Sequence, residues 1–302
     1  MFFNKKFLFY LEYNIRLFFF LLLRKSDILL SNDLDTLCAN FLVSKLKQKK
    51  LVYDSHELFT ETPELLNRPV VKFVWLSLEN FFLKRINFAY TVSHSIANFY
   101  REKHGVHMSV IPNFPLTKKV HHIMSSKSLK TIIYQGAVNK DRGIDLMIES
   151  MVYVNAKLYI VGDGDLMKDM KQYVQKLKLE DKVSFTGKMD FNNLFEITKT
   201  ADLGLSFEKD TCLSYRYSLP NKIFDYINAE VPVLVSDLPE FSGIIKSYSV
   251  GAILESRDAQ SVARQITQLL LVPKINWAEQ LLEAKQTYCW KNKEMELLSF
   301  FN

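Results

Sequence analysis

The chain has 302 residues, 48% of them hydrophobic, with 39 Lys and Arg against 33 Asp and Glu and a formal net charge of +6. That length predicts two domains rather than one, with apolar residues enough for both cores. The mild positive charge suits anionic ligands or an anionic membrane surface, and no nucleic-acid-binding signature is present, so nucleic acid is not an expected partner. Cys38, Cys212 and Cys289 are scattered, without metal-ligand spacing or a closed disulfide set, which fits a reducing compartment.

Residues 1–24 carry Phe2, Phe3, Phe7, Leu8, Phe9, Leu11, Ile15 and an apolar run over 17–23, interrupted by Lys5, Lys6, Glu12 and Arg16 and closed by Arg24. The run is too short to span a bilayer. No small-residue cleavage site follows, so a signal peptide is not expected. Two readings stand: a domain helix packed on a sheet, or an interfacial helix lying on a membrane.

Strand and helix then alternate. Residues 27–30 form a short strand, and 34–46 a helix with Leu34, Leu37, Phe41 and Leu42 spaced for one face. Residues 51–53 form a strand with Asp54, Ser55, His56 and Glu57 at its carboxyl end. A helix over 70–83, a strand over 88–92, a helix capped by Ser93 and running to 103, and a strand over 109–111 complete the first half. Such alternation implies a parallel sheet covered on both faces. Ligands of such sheets sit beyond the carboxyl ends of strands, which places Asp54, His56 and Glu57 where chemistry occurs. Residues 116–130 lack an apolar period and read as a linker. Its adjacent His121 and His122 read as solvated, not as metal ligands.

A second alternating unit follows. A strand over 131–134 ends at Gln135-Gly136, and Gly143 opens a helix to 152. A strand over 157–161 ends in Gly162-Asp163-Gly164, followed by a helix over 165–177 and a strand over 183–185 that runs into Thr186-Gly187. Next come a helix over 191–200 and a strand over 203–205. A strand over 251–254 and helices over 259–271, 277–288 and 291–301 end the chain. Gly162-Asp163-Gly164 lacks the third glycine of the dinucleotide fingerprint, so a nicotinamide cofactor is not expected. Asp163 and Asp165 have no third acidic partner in sequence, so a divalent metal is not expected there. Lys140 and Arg142 lie in the loop after the first strand, where a guanidinium can grip a phosphate with two hydrogen bonds.

The most informative stretch is Tyr217-Ser218-Leu219-Pro220-Asn221-Lys222-Ile223-Phe224-Asp225-Tyr226. Pro220 suits a helix start, and a short helix over 221–229 leads through a turn to a strand over 233–235. Lys222 lies in the first turn, where a cation opposes the helix dipole; an anion held at that end would explain it. Asp225 follows one turn later and can accept hydrogen bonds from a ribose diol. The plainer alternative is an exposed Lys and an exposed Asp on an ordinary helix.

Gln135-Gly136 through Arg142-Gly143, Val161-Gly162-Asp163-Gly164, Val183-Ser184-Phe185-Thr186-Gly187 and Ser218 through Tyr226 occur in the order seen in GT-B glycosyltransferases of family 4. As a set they resemble the Ser-Leu-Pro-Asn-Lys subgroup of that family. Tyr53-Asp54-Ser55-His56-Glu57, and Glu79 through Val92-Ser93, resemble its N-terminal domain, and Trp290-Lys291-Asn292-Lys293 its final helix. The resemblance implies an α/β fold of two Rossmann-like doubly wound domains facing a cleft. An acceptor-side domain would span 1–115 and a linker 116–130. A nucleotide-sugar-binding domain would span 131–288, and a helix over 289–302 would cross back. The family's first domain normally opens with further elements, so the domain over 1–115 is expected to be incomplete. The resemblance also implies a nucleotide-diphosphate sugar as donor, a glycan or lipid-linked acceptor, retention of anomeric configuration, no cofactor and no catalytic metal. A cytoplasmic setting follows, with contact to the inner membrane face through the N-terminal segment.

Carried over by position, Asp225 matches the ribose-binding glutamate of the family's E-x7-E motif. The first glutamate's position is Tyr217, so backbone groups around Leu219, Pro220 and Asn221 are expected at the sugar and phosphate. Arg142 matches a diphosphate-binding lysine, with Gly136 beside it. An arginine usual in the family is Ala137 here, and Lys222 is expected to replace its charge. His56 matches the histidine that approaches the donor sugar, and Gly162, Gly187 and Lys188 lie where the base is read. Two rival readings remain: a GT-B nucleotide-sugar epimerase, and a nucleotide-sugar-binding protein without transferase activity.

Overall fold

A computed structural model describes residues 6–120 and 129–302. Phe2, Phe3, Lys5, His121 and His122 lie outside the described residues. In chain order the elements are α1 (Lys6–Leu23), β1 (Ile28–Asn32), α2 (Asp33–Lys47), β2 (Lys50–Ser55), α3 (Pro69–Leu83), β3 (Phe88–Thr91), α4 (His94–His104) and β4 (Ser109–Val110). There follow β5 (Lys130–Gln135), α5 (Ile144–Ser150), β6 (Ala156–Val161), α6 (Met167–Lys176), β7 (Val183–Gly187), α7 (Phe191–Thr198), β8 (Leu203–Ser206) and α8 (Leu213–Arg216). The chain ends with α9 (Asn221–Asn228), β9 (Val233–Val235), α10 (Pro239–Tyr248), β10 (Gly251–Ile253), α11 (Ala259–Leu271), α12 (Ala278–Thr287) and α13 (Lys291–Leu298). Two compact units result. The first comprises Met1–Asn113, Thr211–Leu219 and Lys293–Asn302, the second Phe114–Asp210 and Pro220–Asn292.

The first unit holds a four-stranded sheet in the order β1-β2-β3-β4, all parallel, with Asn32 beside Asp54 and Ser55 beside Thr91. Its core gathers Leu34, Leu37 and Phe41 from α2, Tyr53 from β2, Phe82 and Leu83 from α3, and Ile96 and Tyr100 from α4. The apolar face expected on α2 differs at Leu42, which is exposed: on a 3.6-residue period it turns away from Leu34 and Leu37. Ser93 caps α4 as expected, accepting the Ile96 N–H at 3.3 Å. Its hydroxyl also donates to the Tyr217 carbonyl at 2.9 Å. Leu213 and Tyr217 pack on this core, so Thr211–Leu219 belongs with the first unit although its neighbours in sequence lie in the second.

α1 packs chiefly on α2, with the Tyr10 ring edge-on to Trp75 of α3. Asn14 Nδ2 donates to the Asp35 carbonyl at 2.7 Å, and Lys47 Nζ to the Leu21 carbonyl at 2.8 Å. Leu8, Leu11, Ile15, Phe19, Phe20 and Leu23 remain exposed. No helix among the described residues is long and apolar enough to cross a membrane.

The second unit holds a six-stranded parallel sheet in the order β10-β9-β8-β5-β6-β7. The order reverses between β5 and β8, and their carboxyl ends therefore flank the crevice in which doubly wound sheets hold ligands. The strands are nearly continuous apolar runs, as two covered faces require: Ile132, Leu158, Ile160, Leu203, Leu205 and Leu234 are all fully buried.

Candidate active site

In the second unit, α9 is fixed over the carboxyl ends of β5 and β8 by one buried side chain. The Tyr226 hydroxyl accepts the Gln135 N–H at 3.0 Å and donates to the Leu205 carbonyl at 3.2 Å. It thus stitches the helix to both strands at the point of reversal. Asp225, its neighbour in sequence, is brought to the Gln135 side chain, whose Nε2 donates to Asp225 Oδ2 at 2.8 Å. Gln135 Oε1 in turn accepts from Thr198 Oγ1 at 2.9 Å, which fixes the amide's orientation. Burial pushes the Asp225 carboxyl up to about 6, the Gln135 bond and the Lys118 charge opposing. Asp225 is therefore not the exposed carboxylate of the plainer reading.

Pro220 is the cap residue of α9, extended at φ −72° and ψ 140°, and the helix proper starts at Asn221. Lys222 is buried, and its ammonium lies 2.6 Å from Glu208 Oε1. The anion expected at this helix end to account for the cation is, in this structure, supplied by the protein itself as Glu208. Arg142 Nη1 stands 3.6 Å from the same oxygen, and Ser206 Oγ donates to Glu208 Oε2 at 2.6 Å. Burial alone would raise the Glu208 carboxyl, but the Lys222 charge, the Ser206 hydroxyl and the Arg142 charge together hold it below the usual range. Glu208 escaped the sequence reading. The rule that brought Asp54 forward, a charged residue just past a strand's carboxyl end, would have found it.

Two glycines make this assembly possible. Gly143 has φ +72°, and a Cβ there would stand 2.3 Å from the Phe207 carbonyl oxygen. Only glycine lets the start of α5 close on the loop after β8, which brings Arg142 to Glu208. Gly162 has φ +143°, and a Cβ there would meet the Gly136 carbonyl oxygen at 1.8 Å. Gly136 donates its N–H to the Val161 carbonyl at 2.9 Å, and Gly162 to the Gly187 carbonyl at 3.0 Å. Gly187, Gly162 and Gly136 thus form one backbone rim across β7, β6 and β5. Lys188, just beyond it, is exposed, and so is Asn221.

His56 and Leu219 belong to the first unit. His56 follows β2 and lies half exposed, its Nε2 3.0 Å from Asp54 Oδ2, while its N–H donates to Asp33 Oδ1 at 3.0 Å. Tyr90 Oη donates to the same Asp54 oxygen at 3.0 Å. Asp54 is thus a buried anchor between ring and phenol. Its hydrogen bond raises the His56 pKa, which burial partly offsets. Asp33 takes a left-handed backbone, φ +57°, and burial raises its carboxyl against the lowering effect of the His56 N–H. The Glu57 carboxylate lies 3.5 Å from Ser214 Oγ.

Parallel α/β sheets in each of two units, with a strand-order reversal in the second, define an α/β protein of GT-B type. The family described as glycosyl transferases group 1 matches residues 119–286, and the chain belongs to it. It is 26% identical over 255 residues to the chitobiosyldiphosphodolichol beta-mannosyltransferase of Candida albicans, over 74% of this chain and 55% of that protein. The chain thus spans about half the length of that curated relative. Among solved structures it is similar to sucrose-phosphate synthase from Thermosynechococcus elongatus, with a TM-score of 0.75 at 17% identity over 91% of this chain and 73% of that one. HepE of Anabaena, in complex with UDP and glucose, gives 0.74 at 15% identity over 95% and 80%. At these identities the likeness establishes the fold.

Proposed function

We propose that the protein is a retaining glycosyltransferase. It would move a sugar from a nucleotide-diphosphate donor to a glycan or lipid-linked acceptor, in surface polysaccharide synthesis, without a cofactor or metal. The observation that carries this reading is the grouping of Arg142, Lys222 and the start of α9 at the β5–β8 reversal, with Asp225 one turn on. The leaving diphosphate gathers negative charge as the glycosidic bond breaks, and preorganised cations with a helix N-terminus lower the energy of that state. Asp225 accepts from the ribose hydroxyls, backbone groups around Leu219, Pro220 and Asn221 meet phosphate and sugar, and Gly162, Gly187 and Lys188 border the base. His56, charged more readily because of Asp54, serves as donor to sugar hydroxyls. A relative named as a mannosyltransferase and a fold shared with a protein solved in complex with UDP and glucose support the reading.

The test is a mass-spectrometric screen of nucleotide sugars with lipid-linked and glycan acceptors, the product anomer assigned by NMR. Transfer with retention is expected. Binding without transfer would assign the chain to the non-catalytic alternative, and epimerised nucleotide sugar to the epimerase. The apolar stripe exposed on α1, with Arg16, Arg24 and Lys25 close by, supports peripheral attachment to the cytoplasmic membrane face.

A further inference from the structure

Glu208 is fully removed from solvent. Its side chain meets two cations and a hydroxyl, and its own carbonyl accepts from Arg257 Nη1 at 3.3 Å. Arg257 Nη1 also donates to Ser236 Oγ at 3.2 Å, so the loop after β8 is tied down toward β9. Stability does not explain a pair like Glu208 and Lys222. Desolvating both charges costs several kcal/mol each, and apolar residues of similar size would serve the fold as well or better. A buried anion facing two cations makes chemical sense if the cations must stay in place while their proper ligand is absent.

The approach for that ligand lies over Gly136, which is itself exposed. A Cβ at Gly136 would stand 3.4 Å from Lys222 Cε and 3.5 Å from its Nζ. Glycine thus keeps a further side chain out of the space beside the ammonium, where the Tyr134 hydroxyl also lies 3.3 Å from the position of such a Cβ and the Tyr134 ring centroid is 4.4 Å from Nζ. We infer that Glu208 is a positioning residue, the resident counter-anion of the phosphate site. It holds Lys222 and Arg142 in place until a diphosphate entering over Gly136 takes over their charge. The inference rests on the reading of Arg142 and Lys222 as diphosphate ligands.

A merely structural role and a counter-anion role predict opposite signs. Calorimetry on the full chain, with inorganic pyrophosphate and with UDP, GDP and ADP, separates them. Glu208→Gln removes the competing charge at nearly constant shape. The variant is expected to melt lower without ligand, yet to bind pyrophosphate and the preferred nucleoside diphosphate about tenfold more tightly, because one like charge has gone. Binding of the parent nucleoside should not change. Lys222→Met leaves the Glu208 charge facing the phosphates and should bind them more weakly than wild type. The double variant Glu208→Gln/Lys222→Met should bind them more tightly than Lys222→Met alone, and it decides the matter if Glu208→Gln does not fold. Unchanged or weaker diphosphate binding in Glu208→Gln, or no gain of the double variant over Lys222→Met, overturns the counter-anion role. If wild type binds neither pyrophosphate nor any of the nucleoside diphosphates, the phosphate reading itself fails and this inference with it.

Discussion

Gln135 Nε2 donates to Asp225 Oδ2 at 2.8 Å, at the one place in the second sheet where strand order reverses. The amide satisfies one carboxylate oxygen, while burial raises the acid to about 6. Burial thus disfavours the charged form of Asp225, and its amide partner offsets this only in part.

Asp225→Asn should accordingly separate stability from binding. The acid is 3.8 when unshifted and about 6 in the folded protein. Between those values the folded state holds a proton that the unfolded state has lost. The contribution of this group to stability thus falls as pH rises through the window and is level above about 6. At neutral pH the Asn variant should be more stable by up to about 2–3 kcal/mol, read by urea denaturation. Nucleoside affinity should fall on the order of tenfold, and its rise with pH through the same window should vanish. A variant less stable than wild type at neutral pH would contradict this account.

Asp54→Asn should lower the His56 imidazole pKa toward about 6.5, because the carboxylate that favours its charged form is gone. NMR titration of the ring reads this directly. Donor turnover should fall more than donor affinity, since the ring keeps its place but takes up its proton less readily. An unmoved pKa would remove Asp54 from the site.

Gly143→Ala combines a disfavoured backbone angle with a clash against the Phe207 carbonyl. A loss of about 2–4 kcal/mol is expected in denaturant titration. Diphosphate binding should weaken further than stability requires, because Arg142 is carried away from Glu208. Retained affinity in a destabilised variant would show that Arg142 does not meet the phosphates.

The chain should float with anionic vesicles at low salt, driven by the exposed Phe19 and Phe20 of α1 and by nearby cations. Replacing both phenylalanines by Glu should abolish flotation and leave the melting temperature in place, since both side chains point to solvent. Wild-type protein that stays at the bottom of the gradient ends the membrane proposal.

The alternation of strands and helices was legible because a doubly wound sheet writes itself as local apolar runs closed by small residues, as at Gln135-Gly136 and Val161-Gly162. Asp225, one turn into α9, and Arg142, in the loop after β5, were singled out from the sequence pattern, and their roles are proposals. What was not legible depends on contacts between residues far apart in the chain. Glu208 meets Lys222 and Arg142 only after α5 and α9 have closed on β8. Lys222 therefore looked like an uncompensated cation. Likewise, nothing local tells Leu213 and Tyr217 which core they join, or sets Asp33 in a left-handed turn beside the His56 N–H.

The link between Glu208 and Lys222 has a consequence for any attempt to divide this protein. Their partnership belongs to the second unit, but the peptide joining them passes through Thr211–Leu219, whose apolar side chains and Tyr217 carbonyl are satisfied by Ser93 and the first core. A fragment starting at Phe114 would keep the ion pair's chemistry while leaving that peptide to wander, with Leu213 and Tyr217 facing water. Closing the loop would then cost conformational entropy that the intact chain does not meet at the moment of binding. The peptide between Glu208 and Lys222 is thus ordered by the first core and not by the unit that holds both residues.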